Sequence, residues 1–211
     1  MPSDDLDRFR RSMEISYVQW HDGEPYDLDA LDALTGEDRR VAEDLLVARR
    51  ARDWRDVEAL EHLGSDRALA QVQGALGSSN LEVRAAAVWA LWRLHRISDP
   101  EIEAVILGSL EGATLGNGLT AIMRLATGFP TTAVRKMLLR CAVQGHDSHL
   151  RFQAAELVDF LYGGSPSLWD SASLPLHRRF SSSNRSERED AYRELCAKNG
   201  IDPWLEERSD A

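Results

Sequence analysis

Apolar positions recur at helical spacing through most of the chain, and the pattern restarts at a fixed interval. Val41, Leu45, Leu46 and Ala48 follow the capping signal Thr35-Gly36-Glu37-Asp38, and Asp53 opens a short helix through Trp54, Val57 and Leu60 that stops at Gly64. Beyond it, Ser65-Asp66-Arg67-Ala68-Leu69, Ser98-Asp99-Pro100-Glu101-Ile102 and Thr131-Thr132-Ala133-Val134-Arg135 share one grammar. Each opens on a small hydroxyl residue able to cap a helix, and the repeat length is about 33 residues. A second helical stretch follows each opening, near Asn80, Gly118 and Asp147. The plainest runs from about Asn80 to His95. There Ser79 and Glu82 fit a capping box, and Val83, Ala86, Ala87, Ala90, Leu91 and Leu94 form one apolar stripe.

The two ends read differently. Residues 1–12 are polar and alternate in charge, as a frayed tail or short helix would. From Met13 to Leu34 aromatic and acidic residues mix, with Gly23 and Pro25 breaking the middle. After Tyr162, Gly163-Gly164-Ser165-Pro166 opens a stretch of Ser, Pro and Arg that reads as a long loop. Asn184 to Glu187 then starts a last amphipathic helix through Ala191, Leu195 and Cys196, ended by Asn199-Gly200. The expected organisation is an acidic aromatic segment at 1–36, helical repeats at 37–163, a loop at 164–183, and a capping helix and tail at 184–211.

Two of the second stretches share a finer pattern. Val83-Arg84 followed by alanines and Ala90-Leu91 resembles the second helix of a HEAT repeat, and Leu150-Arg151 followed by Ala154, Ala155 and Leu161 repeats it. The middle copy, Leu119 to Ala126, keeps the stripe but lacks the arginine, and its Gly116-Asn117-Gly118 entry departs from the pattern. The resemblance implies an all-α fold: a short right-handed α-solenoid of HEAT-like hairpins, with an irregular N-terminal segment and a C-terminal capping helix. An irregular helical bundle would show similar stripes without the period.

At 211 residues the chain can bury a sizeable core as one domain or a short repeat array. It contains no apolar run of about 18 residues, and its first residues are acidic where a secretory signal would be basic and then apolar. A soluble cytoplasmic protein without membrane contact is expected. The two cysteines, Cys141 and Cys196, lie far apart and read as free, mostly buried thiols. The net charge of −10 is uneven: residues 1–64 hold 17 Asp and Glu against 9 Arg, whereas the remainder hold 18 acids against 16 bases. Such an end repels phosphates and anionic lipid and suits a basic partner.

Catalytic signatures are sparse. No P-loop, dinucleotide fingerprint, nucleophile elbow or zincin motif occurs. His146-Asp147-Ser148-His149 is the best metal candidate, yet Asp147 or Ser148 is more simply a helix cap, so no metal and no cofactor are expected. His21-Asp22 matches a phosphohydrolase dipeptide without the further ligands such a site needs. Among enzymes of HEAT-like architecture, the iron-dependent hydroxylases carry His-Glu dipeptides, which this chain lacks. DNA glycosylases of this architecture pair a basic groove with aromatic and acidic residues, which Trp89, Trp92, Arg93, Arg124 and Asp159 imitate in part against an acidic background. Bilin lyases also use related repeats, which leaves a chromophore cleft open as an alternative.

The tryptophans point to binding. On a helical wheel Trp89 and Trp92 lie about 60 degrees apart, opposite the Val83, Ala87 and Leu94 stripe. Two indoles there require a neighbouring helix or a partner. The chain resembles small acidic bacterial HEAT-repeat proteins, including immunity proteins that neutralise toxin domains. That likeness extends to the Tyr17 to Leu34 segment and the Arg193-Glu194-Leu195-Cys196 helix. The expected function is therefore non-enzymatic protein binding, with a basic protein such as a toxin domain as partner. Trp20, Asp22, Tyr26, Asp27 and Asp29 would supply an acidic steering surface, and Trp89, Trp92 and Arg93 the anchors. A glycosylase-type enzyme and a scaffold or assembly factor are the alternatives.

Overall fold

A computed structural model describes residues 3–203, with the side chain of Trp20 outside the described set. Within it the fold is all-α: thirteen helices and no β-strand. No described helix is long and apolar enough to cross a membrane. The chain divides into two compact units, one through Ser98 and one from Asp99. The boundary falls inside the stretch expected to be one repeat array.

The first unit contains α1 (Asp4–Ser12), α2 (Tyr17–His21), α3 (Leu28–Ala33), α4 (Gly36–Arg49), α5 (Trp54–Leu63), α6 (Asp66–Ala75) and α7 (Leu81–Arg93). Its hub is α5, which packs on α3, α4, α6 and α7. Local chemistry sets the limits of α5. The Asp53 side chain caps its start in a reciprocal box with Asp56, and Gly64 closes it at φ 64°. The first residues are better ordered than their polarity suggests. Ser3 caps α1, whose Leu6 and Phe9 are buried in the core with Ala30, Leu31, Leu46 and Leu60. Helix α7 is capped by Asn80, whose side chain accepts from Glu82 N, and not by Ser79.

The second unit contains α8 (Asp99–Leu110), α9 (Leu119–Gly128), α10 (Thr132–Gln144), α11 (Ser148–Leu161), α12 (Leu174–Arg179) and α13 (Arg185–Asn199). Helices α10 and α11 form its main pair, with α8 and α13 against α10, and α9, α12 and α13 against α11. The stretch expected as a loop at 164–183 holds α12, started by Pro175 at a position where proline costs no helical hydrogen bond. Gly200 ends α13 at φ 62°. Three helices begin where the restarting pattern places them, at Asp66, Asp99 and Thr132, and their successors begin at Leu81, Leu119 and Ser148.

Arg151 illustrates what the Leu-Arg pattern does here. Its buried guanidinium donates to the carbonyls of Phe180 (2.8 Å) and Gly145 (2.7 Å), and more distantly to Ser181 and Ser182. Five fixed donors on one planar group can gather the chain ends left open after α10 and α12.

Candidate protein-interaction surface

The segment joining α2 and α3 is fastened from beneath by two charged residues of α5. Arg55 is only 2% exposed. Its Nε donates to the Glu24 carbonyl at 2.5 Å, its Nη2 to the Gln19 carbonyl at 3.4 Å and its Nη1 to Asp53 at 3.1 Å, while its guanidinium lies 4.5 Å from the Trp54 ring centre. Asp56 is fully buried. It accepts from Arg49 Nε (2.6 Å), Tyr26 Oη (2.9 Å) and the backbone N–H groups of Arg52 and Asp53. A buried carboxylate with four donors is satisfied, so the cluster fixes geometry instead of leaving a free charge.

This arrangement sorts the candidate residues of the segment. Tyr26 faces inward, at 3% exposure, with its ring edge-to-face on Phe9 at 6.2 Å. Burial, reinforced by Asp56, holds its hydroxyl well above the usual tyrosine range. Tyr26 is thus a core residue and cannot belong to a steering surface, because Asp56 needs its hydroxyl inside. Asp27 is half-committed: it caps α3 by accepting from Ala30 N and pairs with Arg8 at 2.9 Å. Asp22 and Asp29 are exposed, and Asp22 pairs with His21 Nδ1 at 3.0 Å. Trp20 lies in α2, and its side chain is outside the described residues.

Two residues not assigned to the interface stand out beside Asp22. Tyr17 is 75% and Val18 62% exposed, with the Tyr17 ring 6.1 Å from that of His21. A sequence signal for them existed. Ser16-Tyr17-Val18-Gln19 has the S-x-x-Q form of a capping box, and Gln19 N donates to Ser16 Oγ (3.3 Å) while Ser16 N donates to Gln19 Oε1 (3.0 Å). That box places Tyr17 and Val18 in a first helical turn, while the apolar residues just before it, Met13 and Ile15, pack against the core instead.

On α7, Trp89 is half-buried and Trp92 is 45% exposed, their rings edge-to-face at 5.7 Å. Arg93 lies against Glu61 in a two-pronged ion pair, with Nε–Oε1 at 2.7 Å and Nη2 on Oε2. The pair raises the Arg93 pKa and ties the guanidinium to α5, so a partner would have to compete with Glu61 for it. The structure therefore brings Trp89, Trp92 and Arg93 to one helix end.

Other chemistry is tied up internally. Asp159 is fully buried among His177, Lys198 and Asn199 and has no access for a substrate. Asp147 caps α11 by accepting from His149 N and Leu150 N, and those two hydrogen bonds, outweighing its burial, hold its carboxyl below the usual range. Among the described residues no group of three His, Cys, Asp or Glu side chains could hold a metal ion. Both cysteines are buried and free, and burial pushes the Cys141 thiol up to about 11. Trp169, in the 163–173 segment, was not singled out by the sequence. It is 73% exposed and sits at φ 71°, an unusual conformation for a bulky side chain.

No protein-family model, no curated protein and no solved structure matches the chain.

Proposed function

We propose that this is a protein-binding helical module of HEAT-like type whose α2–α3 face engages a basic protein partner in the cytoplasm, as an immunity protein engages a toxin domain. The observation that carries the reading is the display of Tyr17 and Val18 beside Asp22 on a segment held by buried Arg55 and Asp56. Exposed apolar side chains on a mobile loop lose much of their contact energy to ordering. On a fastened segment that cost is already met by the fold. Asp22, Asp29 and Asp32 are exposed carboxylates of the same stretch of chain, and the unit through Ser98 holds 19 Asp and Glu against 13 Arg. Such a field speeds encounter with a basic surface, while Tyr17 and Val18 slow dissociation.

The glycosylase alternative loses its acid, since Asp159 is enclosed. A scaffold would use the same face, and only the partner's identity separates the two roles.

The test begins with affinity capture of the tagged protein from its native cells, with protein and nucleic acid identified in one eluate. Binding of the captured protein is then measured against salt for the wild type, for Asp22→Lys with Asp29→Lys, and for Tyr17→Ala with Val18→Ala. The charge reversal should slow association about tenfold at low salt and flatten the salt dependence. The apolar truncation should instead speed dissociation. Unchanged kinetics in both variants would refute the assigned face, and recovery of nucleic acid alone would refute protein binding.

A further inference from the structure

The last turn of α13 is fastened to α11 and α12 through one buried carboxylate. Asp159 Oδ2 accepts from Lys198 Nζ at 2.7 Å and faces His177 Nε2 at 3.0 Å, while Oδ1 accepts from Asn199 Nδ2 at 2.8 Å. The same turn reaches the 163–173 segment. Lys198 Nζ donates to Ser173 Oγ at 2.7 Å, and the Asp159 carbonyl accepts from Gly164 N and Ser165 N. Gly164 is pressed so closely that a Cβ there would lie 2.3 Å from Asn199 Oδ1 and 2.4 Å from Asp159 Oδ1.

The protonation state of this cluster follows from its contacts. Asp159 only accepts, so the proton between it and His177 resides on Nε2, and Nδ1 carries a lone pair. That Nδ1 is buried without a hydrogen-bond partner. Adding a second proton would bury an unpaired N–H and place a second cation on a carboxylate that Lys198 already neutralises. The other charged groups facing the ring are few. Asp170 of the 163–173 segment has its carboxylate engaged by Ser173 Oγ and Ala172 N, while Arg178 and Arg179 follow His177 in α12, with Arg179 paired to Glu194 of α13. The Phe152 ring of α11 stands edge-to-face at 6.3 Å.

We propose that the Asp159–His177–Lys198–Asn199 cluster is an acid-released latch, in which proton uptake by His177 frees the end of α13 and the 163–173 segment while α10 and α11 stay folded. Burial, against the pull of Asp159, holds the imidazole below the usual histidine range. Opening is therefore linked to binding one proton, and the open fraction grows as pH falls below about 6.5. Asp159 itself, whose three donors outweigh its burial, is held below the usual carboxylate range and adds little in that window. From pH 7 to pH 5 a single such proton multiplies the opening equilibrium by at most about 25-fold, the limit set by an imidazole that takes up no proton while the latch is closed. The segment released is the one that carries Trp169.

The experiment is amide hydrogen exchange on the full chain at pH 7 and pH 5, corrected for intrinsic rates. Residues 163–173 and 195–200 should lose several-fold protection at pH 5, up to about 25-fold, while 134–158 keep theirs. In His177→Gln, whose amide can still donate to Asp159 but cannot titrate, the loss should vanish. The latch is refuted by pH-independent protection in the wild type, by an unchanged response in the variant, or by loss of protection throughout 99–203 together. Should the variant not fold, an NMR titration of His177 in the wild type decides. Protonation coincident with local opening supports the latch, and a ring that stays neutral until global unfolding overturns it.

Discussion

Removing the Asp56 carboxylate should cost the first unit more than any exposed change nearby, and the size of the loss follows from its four donors. In Asp56→Ala, the Tyr26 hydroxyl keeps only the bond it accepts from Arg49 Nη2 at 3.0 Å, so its own proton is left buried and unpaired. That penalty is about 1–3 kcal/mol. The N–H groups of Arg52 and Asp53 lose the side chain that closes the start of α5, worth about 0.5–2 kcal/mol. Arg49, with a side chain 38% exposed, can turn to water, so its share is discounted to no more than about 1 kcal/mol. Together these span about 1.5–6 kcal/mol, which brackets the about 3–5 kcal/mol typical of breaking a buried pair from one side. Urea unfolding followed by circular dichroism measures the loss, with Tyr26→Phe expected to cost about 1 kcal/mol. A loss below about 1 kcal/mol for Asp56→Ala would refute the argument, because the carboxylate would then be no better placed than a surface one. A double-mutant cycle of Tyr26→Phe with Arg49→Met apportions the rest, and near-zero coupling would show that the three side chains do not act as a unit.

Three further perturbations probe the second unit. Gly164→Ala forces a Cβ into the Asn199 and Asp159 oxygens and should lower stability by about 1–3 kcal/mol, read as a drop in Tm; an unchanged Tm would show the approach to be slack. Trp169→Gly relieves a bulky residue at positive φ and should raise stability by about 0.5–1 kcal/mol despite the entropy glycine loses on folding, whereas a destabilised variant would mean the indole packs in solution. Glu156, buried with Oε1 unpartnered, has its carboxyl pushed up to about 7 by burial. Its folded pKa lies above its unfolded one, so the stability it contributes is full below about 4.5 and fades as pH rises through 7; Glu156→Gln should flatten that decline in a pH series of urea midpoints, and an equally steep decline would sink the assignment.

Much of the helical layout was legible because helix starts are local events. Ser65 Oγ accepts from Ala68 N at 3.0 Å and Thr131 Oγ1 from Val134 N at 3.2 Å, contacts within three residues that a hydroxyl at a restart already implies. The ends at Gly64 and Gly200 follow from one residue type at positive φ. Two details were less visible. Asn80 and Ser79 are both good caps and adjacent, so only the backbone turn decides between them. Helix α12 lies in a stretch rich in Ser and Pro, and its Leu176 and His177 become buried only through contacts with residues far along the chain.

The candidate surface was harder to read for a related reason. Tyr17 and Tyr26 share a residue type and an acidic neighbourhood, yet one is exposed and the other is in the core. What separates them is Asp56, thirty residues beyond Tyr26, and no periodicity links the two. Composition counts Arg55, Asp56, Arg151 and Asp159 among the surface charges of acidic helices, whereas all four are buried: the two arginines hold distant backbone carbonyls, and the two carboxylates hold side chains from far along the chain. Periodicity assigns a charged residue to the outer face because an unpaired buried charge is too costly, and it has no means of knowing that the partners exist. In this chain those buried pairs decide which aromatic residues remain outside. The display of Tyr17 and the inward turn of Tyr26 are thus two results of one cause, and a perturbation of Arg55 should be felt at the α2–α3 face before it is felt at α6 or α7.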